Sequence, residues 1–100
     1  MTHPPRGARA FAGTLVERRL AACVNLVELR SVYRWREKIE DAREVLCVVK
    51  TTAVRVRALE RHVREEHPYD CPEFVVLTPV QVASGYLRWL VDETRPARSR

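Results

Sequence analysis

The chain has 100 residues, 46% of them hydrophobic and 31% charged, with a formal net charge of +5. That length suits one compact domain, which buries roughly 60% or more of the surface its unfolded chain exposes, enough for one core and no second. No uncharged stretch reaches the roughly 20 apolar residues of a bilayer crossing, and Met1 to Arg6 has no apolar run behind its positive charge. Neither a transmembrane span nor a secretory signal is read, and a soluble cytoplasmic protein is expected. Three of the positive charges, Arg95, Arg98 and Arg100, fall in a terminal stretch that reads as a frayed basic tail over 95–100. Residues 1–94 then form a single domain with a charge of +2, an ordinary value that points to no nucleic-acid partner.

Apolar residues at Ala8, Phe11, Ala12, Leu15, Val16 and Leu20 follow the i, i+3, i+4, i+7 spacing of an amphipathic helix. Ala22 to Glu28 reads as a mostly buried strand, and Ser31 to Arg36 as a strand with one polar face, since Tyr33 and Trp35 alternate with Arg34 and Arg36. Glu37 to Glu44 reads as a turn or exposed hairpin. Val45 to Thr51, with five consecutive apolar residues, reads as a central strand. Thr51-Thr52 offers an N-cap to a second helix with Val56, Leu59 and Val63 inside, stopped by Pro68. Glu73 to Thr78 reads as a further strand, and Ser84 as the cap of a last helix carrying Leu87, Leu90 and Val91 on one side. The order predicts an α+β fold, a ferredoxin-like two-layer sandwich with an antiparallel sheet and an extra C-terminal helix. Its first strand is missing in this reading, because Pro4 and Pro5 cannot both donate to a ladder.

Cys23, Cys47 and Cys71 are odd in number and have no close pair, which argues against a zinc framework or a disulfide scaffold. Cys23 and Cys47 read as small buried hydrophobes and Cys71 as an exposed thiol. His62, among arginines, reads as solvated.

Leu15-Val16-Glu17-Arg18-Arg19-Leu20-Ala21-Ala22-Cys23-Val24-Asn25 resembles the L-V-E-x-x-L-A-A-C-V-N signature of the CutA divalent-cation tolerance proteins. Further blocks follow in the same order: Ser31 to Trp35, Glu44-Val45-Leu46 through Lys50-Thr51-Thr52, His67-Pro68-Tyr69 with Pro72-Glu73, and Tyr86 to Leu90. The resemblance implies a ferredoxin-like homotrimer with strands pairing across subunit boundaries. It also implies association with tolerance to copper and other divalent ions, weak binding of copper(II) or a similar cation, and no catalysis. The partners it implies are the chain itself and a divalent metal ion, with no nucleic acid and no membrane. His67 corresponds to the family's histidine before Pro-Tyr, and Glu66 stands where some members have a second histidine; these two are the expected metal ligands. The alternative for His67 is a helix-ending residue whose imidazole meets the last carbonyls. Tyr33 and Trp35 are expected at the subunit contact, and Trp89 in core or interface packing. Glu37 departs from the family, which usually carries a glycine there.

The trimer also resembles nitrogen-regulatory PII-type proteins, so a small-molecule-sensing or signalling trimer is the alternative function. An RNA-binding ferredoxin-like module is less well supported, because no K/R-G-F/Y aromatic strand motif occurs. An enzyme is not expected: no G-x-S-x-G elbow or P-loop is present, and Gly7, Gly13 and Gly85 are too dispersed to cradle a phosphate.

Overall fold

The computed structural model describes residues 1–96, so positions 97–100 of the expected tail lie outside the described residues. The elements run β1 (Thr2–His3), α1 (Ala8–Glu17), β2 (Cys23–Trp35), β3 (Lys38–Lys50), α2 (Ala53–Glu66) and α3 (Ser84–Glu93). They form an α+β fold around a three-stranded antiparallel sheet of order β1-β3-β2.

The two strands expected at Ala22–Glu28 and Ser31–Arg36 are one. β2 pairs with β3 over thirteen positions, from Cys23↔Lys50 to Trp35↔Lys38, and the stretch Glu37–Glu44, read as a turn or exposed hairpin, is the hairpin's returning arm, in β3 from Lys38 on. At roughly 3.3 Å per residue each strand is about 43 Å long, nearly the 47 Å length of the molecule. The interior charges did not break it because most of them face water, and Arg30 pairs across the ladder with Asp41 at 2.8 Å, while the buried Glu44 is hydrogen-bonded. The hairpin turns on two residues, Arg36 and Glu37, at φ 50° and 67°. Positive φ at both central positions is the pattern whose twist matches a hairpin, and it usually takes Asn or Gly.

The first strand is short but present, which corrects the expectation that it is missing. Thr2 pairs with Leu46 and His3 with Val45, so the strand ends before Pro4 and the prolines are never asked to donate. β3 is central, as its unbroken apolar run predicted. Glu73–Thr78, by contrast, forms no strand. It is apolar and suited to one, but it has no ladder partner among the described residues and Leu77 is 85% exposed.

Alternation along β2 and β3 puts Val24, Leu26, Val45, Cys47 and Val49 on one face and Val27, Leu29, Tyr33, Trp35, Leu46 and Val48 on the other. The helices cover the first. Leu15, Leu20 and Ala21 meet Leu59 and Val63 of α2 above Val24 and Val49, while Ala8 packs with Val45 and Cys47. Cys47 is buried and Cys71 exposed, as expected, and Cys23 is half-buried. The second face carries no such helical layer: Glu44 on it is buried beside Tyr69, but Val27, Tyr33, Trp35 and Val48 are exposed.

α1 ends in a Schellman turn. The Leu20 N–H donates to Leu15 O at 2.9 Å and the Arg19 N–H to Val16 O at 3.0 Å, with Arg19 at φ 59°. The Arg19 guanidinium then reaches the last carbonyls of α3, Asp92 O at 3.4 Å and Glu93 O at 3.3 Å, where a cation also complements the helix dipole. The N-cap position of α2 is Thr52, as expected, although its side chain makes no cap bond. At α3 the cap is Ala83 rather than Ser84, and only Leu90 of that helix is buried.

Two outcomes follow. Glu37→Gly removes a left-handed, non-glycine position worth about 1–2 kcal/mol of strain, so the thermal midpoint rises. Leu15→Ala, at a side chain with no exposure, costs about 2–5 kcal/mol in a chemical denaturation series.

Candidate functional site

α2 stops at Glu66 because Pro68 bars the helical region to the residue before it. His67 therefore turns to φ −73°, ψ 140°, keeping only its N–H on the helix, donated to Val63 O at 2.9 Å. Its imidazole does not meet the last carbonyls of the helix. It swings under the fold to the first strand, donating from Nε2 to Thr2 O at 2.8 Å, while Nδ1 accepts the Tyr69 N–H at 3.1 Å. A carbonyl can only accept and a backbone N–H can only donate, so these partners fix the neutral tautomer with its proton on Nε2. Burial pushes the His67 pKa below its ordinary 6.5, only partly offset by the Thr2 bond.

The other two histidines gather at the same place. His3 donates from Nδ1 to Pro4 O at 2.7 Å, and its ring lies tilted against Phe11 at 5.0 Å and edge-on to His67 at 4.9 Å. His62 and His67 each lie 5.6 Å from the Phe11 ring. All three are buried, which corrects the reading of His62 as solvated. The signal for it was available, since His62 falls with Leu59 and Val63 at i, i+3, i+4 on the inner face of α2.

Below this cluster the Tyr69 hydroxyl donates to Glu44 Oε2 at 2.7 Å. Glu44 is a carboxylate only 5% exposed. Burial alone would raise its pKa, but hydroxyls of Ser31, Tyr69 and Thr2 and the charge interaction with His67 together hold it below the ordinary 4.5. The Tyr69 phenol is pushed far up, by burial first and then by its bond to Glu44. Sequence reading missed both Glu44 and Tyr69 as partners, because their contact spans 25 positions and only the fold brings them together.

The two expected ligands are not brought together as an open pair: Glu66 is exposed and His67 is 7% exposed with both ring nitrogens in use. Among the described residues no three His, Cys, Asp or Glu side chains gather as a metal-holding group. A neutral imidazole and a carboxylate are donors that suit copper(II) or zinc, but in this chain the His67 ring is closed by its own hydrogen bonds. Tyr33 and Trp35 stand half-exposed on the uncovered sheet face, Trp89 is similarly exposed, and Lys50 Nζ lies 6.0 Å above the Tyr86 ring.

Comparison with known proteins decides the family. The family model for the CutA1 divalent ion tolerance protein matches residues 1–93. The chain belongs to the CutA1 family. A divalent-cation tolerance protein CutA of Thermus thermophilus is 44% identical over 88 residues, covering 87% of this chain and 85% of that protein. A CutA homolog of Xenopus laevis is 43% identical over 86 residues, covering 85% of this chain, which spans 57% of that relative's length. A solved structure described as the PII-like protein CutA from Nostoc in its apo form superposes with a TM-score of 0.92 at 31% identity, covering 96% of this chain and 94% of that one. No helix among the described residues is long and apolar enough to cross a membrane.

The sign of the acid response follows from the two shifts. His67 is lowered in the fold, so below about pH 6.5 the unfolded chain takes up a proton that the folded one refuses, and stability falls as pH falls. Glu44 adds stability that is full above pH 4.5 and is lost as pH drops through its lowered folded value. A pH series of denaturation midpoints should therefore fall in two acid steps. Tyr69→Phe should cost about 1.5–3 kcal/mol near neutrality, as the loss of a bond to a charged group, and shrink the lower step.

Proposed function

We propose that this CutA1-family chain works as a ferredoxin-like homotrimer in the cytoplasmic response to divalent metal ions. One observation carries the assembly: helices cover only one face of the sheet, leaving Val27, Tyr33, Trp35 and Val48 in water on the other. Phe74–Thr78 and the outer edge of β2 also lack ladder partners among the described residues. A second copy of the chain offers both an apolar face and bare strand edges, so self-association removes each liability at once.

In this reading the subunit engages copper(II) or a similar cation through the His67 imidazole, with the exposed Glu66 carboxylate as a helper. The affinity is low for a stated reason. Ligation must displace the Tyr69 N–H from Nδ1 or the Thr2 carbonyl from Nε2, each a bond worth about 0.5–1.5 kcal/mol net, from a ring that is buried. No catalytic step is assigned. The likeness to a structure described as PII-like supports a sensing trimer as the second reading, in which the uncovered surfaces bound clefts between subunits.

Native mass spectrometry with and without copper(II) tests the proposal. The parent should appear at three times the mass of one chain and take up copper that His67→Gln does not. A trimer with unchanged copper uptake in the variant would remove the ligand assignment and leave the assembly, whereas a monomer would remove the assembly. Val48→Glu, placing a charge on the uncovered face, should convert the trimer to monomer.

A further inference from the structure

We propose that the groove beside α3 binds a small organic monoanion with a flat ring, its carboxylate on Lys50 and its ring on Trp89 and Tyr86. This rests on the second reading, a sensing assembly, and adds to it the class of ligand sensed. Lys50 is the last residue of β3 and lies opposite Cys23, so its stem leaves the sheet on the face away from α1 and α2. There its ammonium stands 6.0 Å above the Tyr86 ring. The side chain is half-buried, yet no carboxylate lies within ion-pair reach of it among the described residues. A cation partly withdrawn from water without a counter-charge is costly, and one aromatic face offsets only part of that cost. A carboxylate supplied by a ligand removes the rest.

The flat part of the ligand follows from α3. Tyr86 and Trp89 are one turn apart, with ring centroids 5.4 Å apart and planes tilted by 43°, and both stay about two-fifths exposed, at 41% and 42%. Trp89 walls an open groove of about 420 Å³ lined also by Val16 and by the buried Ala21 and Ala22. That size lies within the roughly 300–1,000 Å³ of small-molecule sites, which combine apolar walls with a few polar groups. The Ala22 N–H donates to Lys50 O at 2.9 Å, so the groove is fastened to the end of β3 that carries the ammonium. The rim limits the ligand to one negative charge. Arg19 is spent on the carbonyls of Asp92 and Glu93 and on the Glu93 carboxylate at 3.9 Å, while Glu17 is exposed with no cation within ion-pair reach among the described residues. A dianion such as a phosphate monoester would meet both carboxylates, whereas an aromatic monocarboxylate places its one charge at Lys50 and its ring on the indole.

An NMR titration of the full chain with phenylacetate tests this, following the indole N–H of Trp89 with that of Trp35 as internal control. Phenylacetate should move the Trp89 signal saturably, on the order of millimolar concentration, and leave Trp35 unmoved. Phenylacetamide, the same ring without the charge, and inorganic phosphate, charge without a ring, should bind about tenfold more weakly or less. Lys50→Gln, which keeps the apolar stem, should weaken phenylacetate about tenfold, and Lys50→Arg should restore most of the loss. Equal affinity for the acid and the amide, a Trp35 shift matching that of Trp89, or unaltered binding in Lys50→Gln would each overturn the site. Light scattering on the same samples separates this from the reading beneath it. A trimer whose Trp89 does not respond overturns the site and leaves the assembly, whereas a monomer that binds phenylacetate overturns the sensing assembly and supports the site. Should Lys50→Gln fail to fold, the contrast between acid and amide in the parent decides alone.

Discussion

A ladder of thirteen residue pairs between β2 and β3 sets the proportions of this molecule. Its strands run nearly the full length of the subunit, while α1 and α2, with ten and fourteen residues, rise only about 15 and 21 Å along their axes. The helices therefore cover one face of one half of the hairpin. The rest of it, with Val32, Tyr33, Trp35 and Ile39 exposed, is held by backbone hydrogen bonds and projects from the core. A two-stranded ribbon of that length is marginal by itself in water. On the proposed assembly, the apolar residues along it are the surface that other copies of the chain would bury.

How far this was legible depended on whether the deciding interactions are local. α1 and α2 were readable because burial of Ala8, Ala12 and Leu15, and of Leu59 and Val63, follows the helical period directly. The central position of β3 was readable from its apolar run. The union of two expected strands into β2 was not, since charges such as Glu28 and Arg30 look like strand ends until it is known that the hairpin leaves the helical layer and stands in water. The short first strand was missed because the argument from Pro4 and Pro5 extended two positions too far. Phe74–Thr78 has strand composition, yet composition alone supplies no partner.

At the candidate site, sequence pointed to the right segment and could not describe its chemistry. Pro68 predicts where α2 ends, and through that the turn of His67 out of the helix. The acceptor of its Nε2 proton is 65 positions away, and the Tyr69 hydroxyl meets a carboxylate 25 positions away. These long-range bonds convert a residue that reads as an open metal ligand into a closed connector between the first strand and the turn after α2. Buried Glu44 and neutral His67 belong to one polar network in which every named atom has a partner, which gives a small domain specificity at the cost of stability in acid.

In the proposed assembly, the bare strand edges and the exposed sheet face of one chain are covered by other copies. Amide exchange along Phe74–Thr78 and the outer edge of β2 tests it most directly, since neither has a ladder partner among the described residues. The account predicts that these amides are protected at working concentration to a degree comparable with the β2–β3 amides, and lose protection on dilution. Exchange at the rate of free peptide at all concentrations, with the inner ladder still protected, would contradict it.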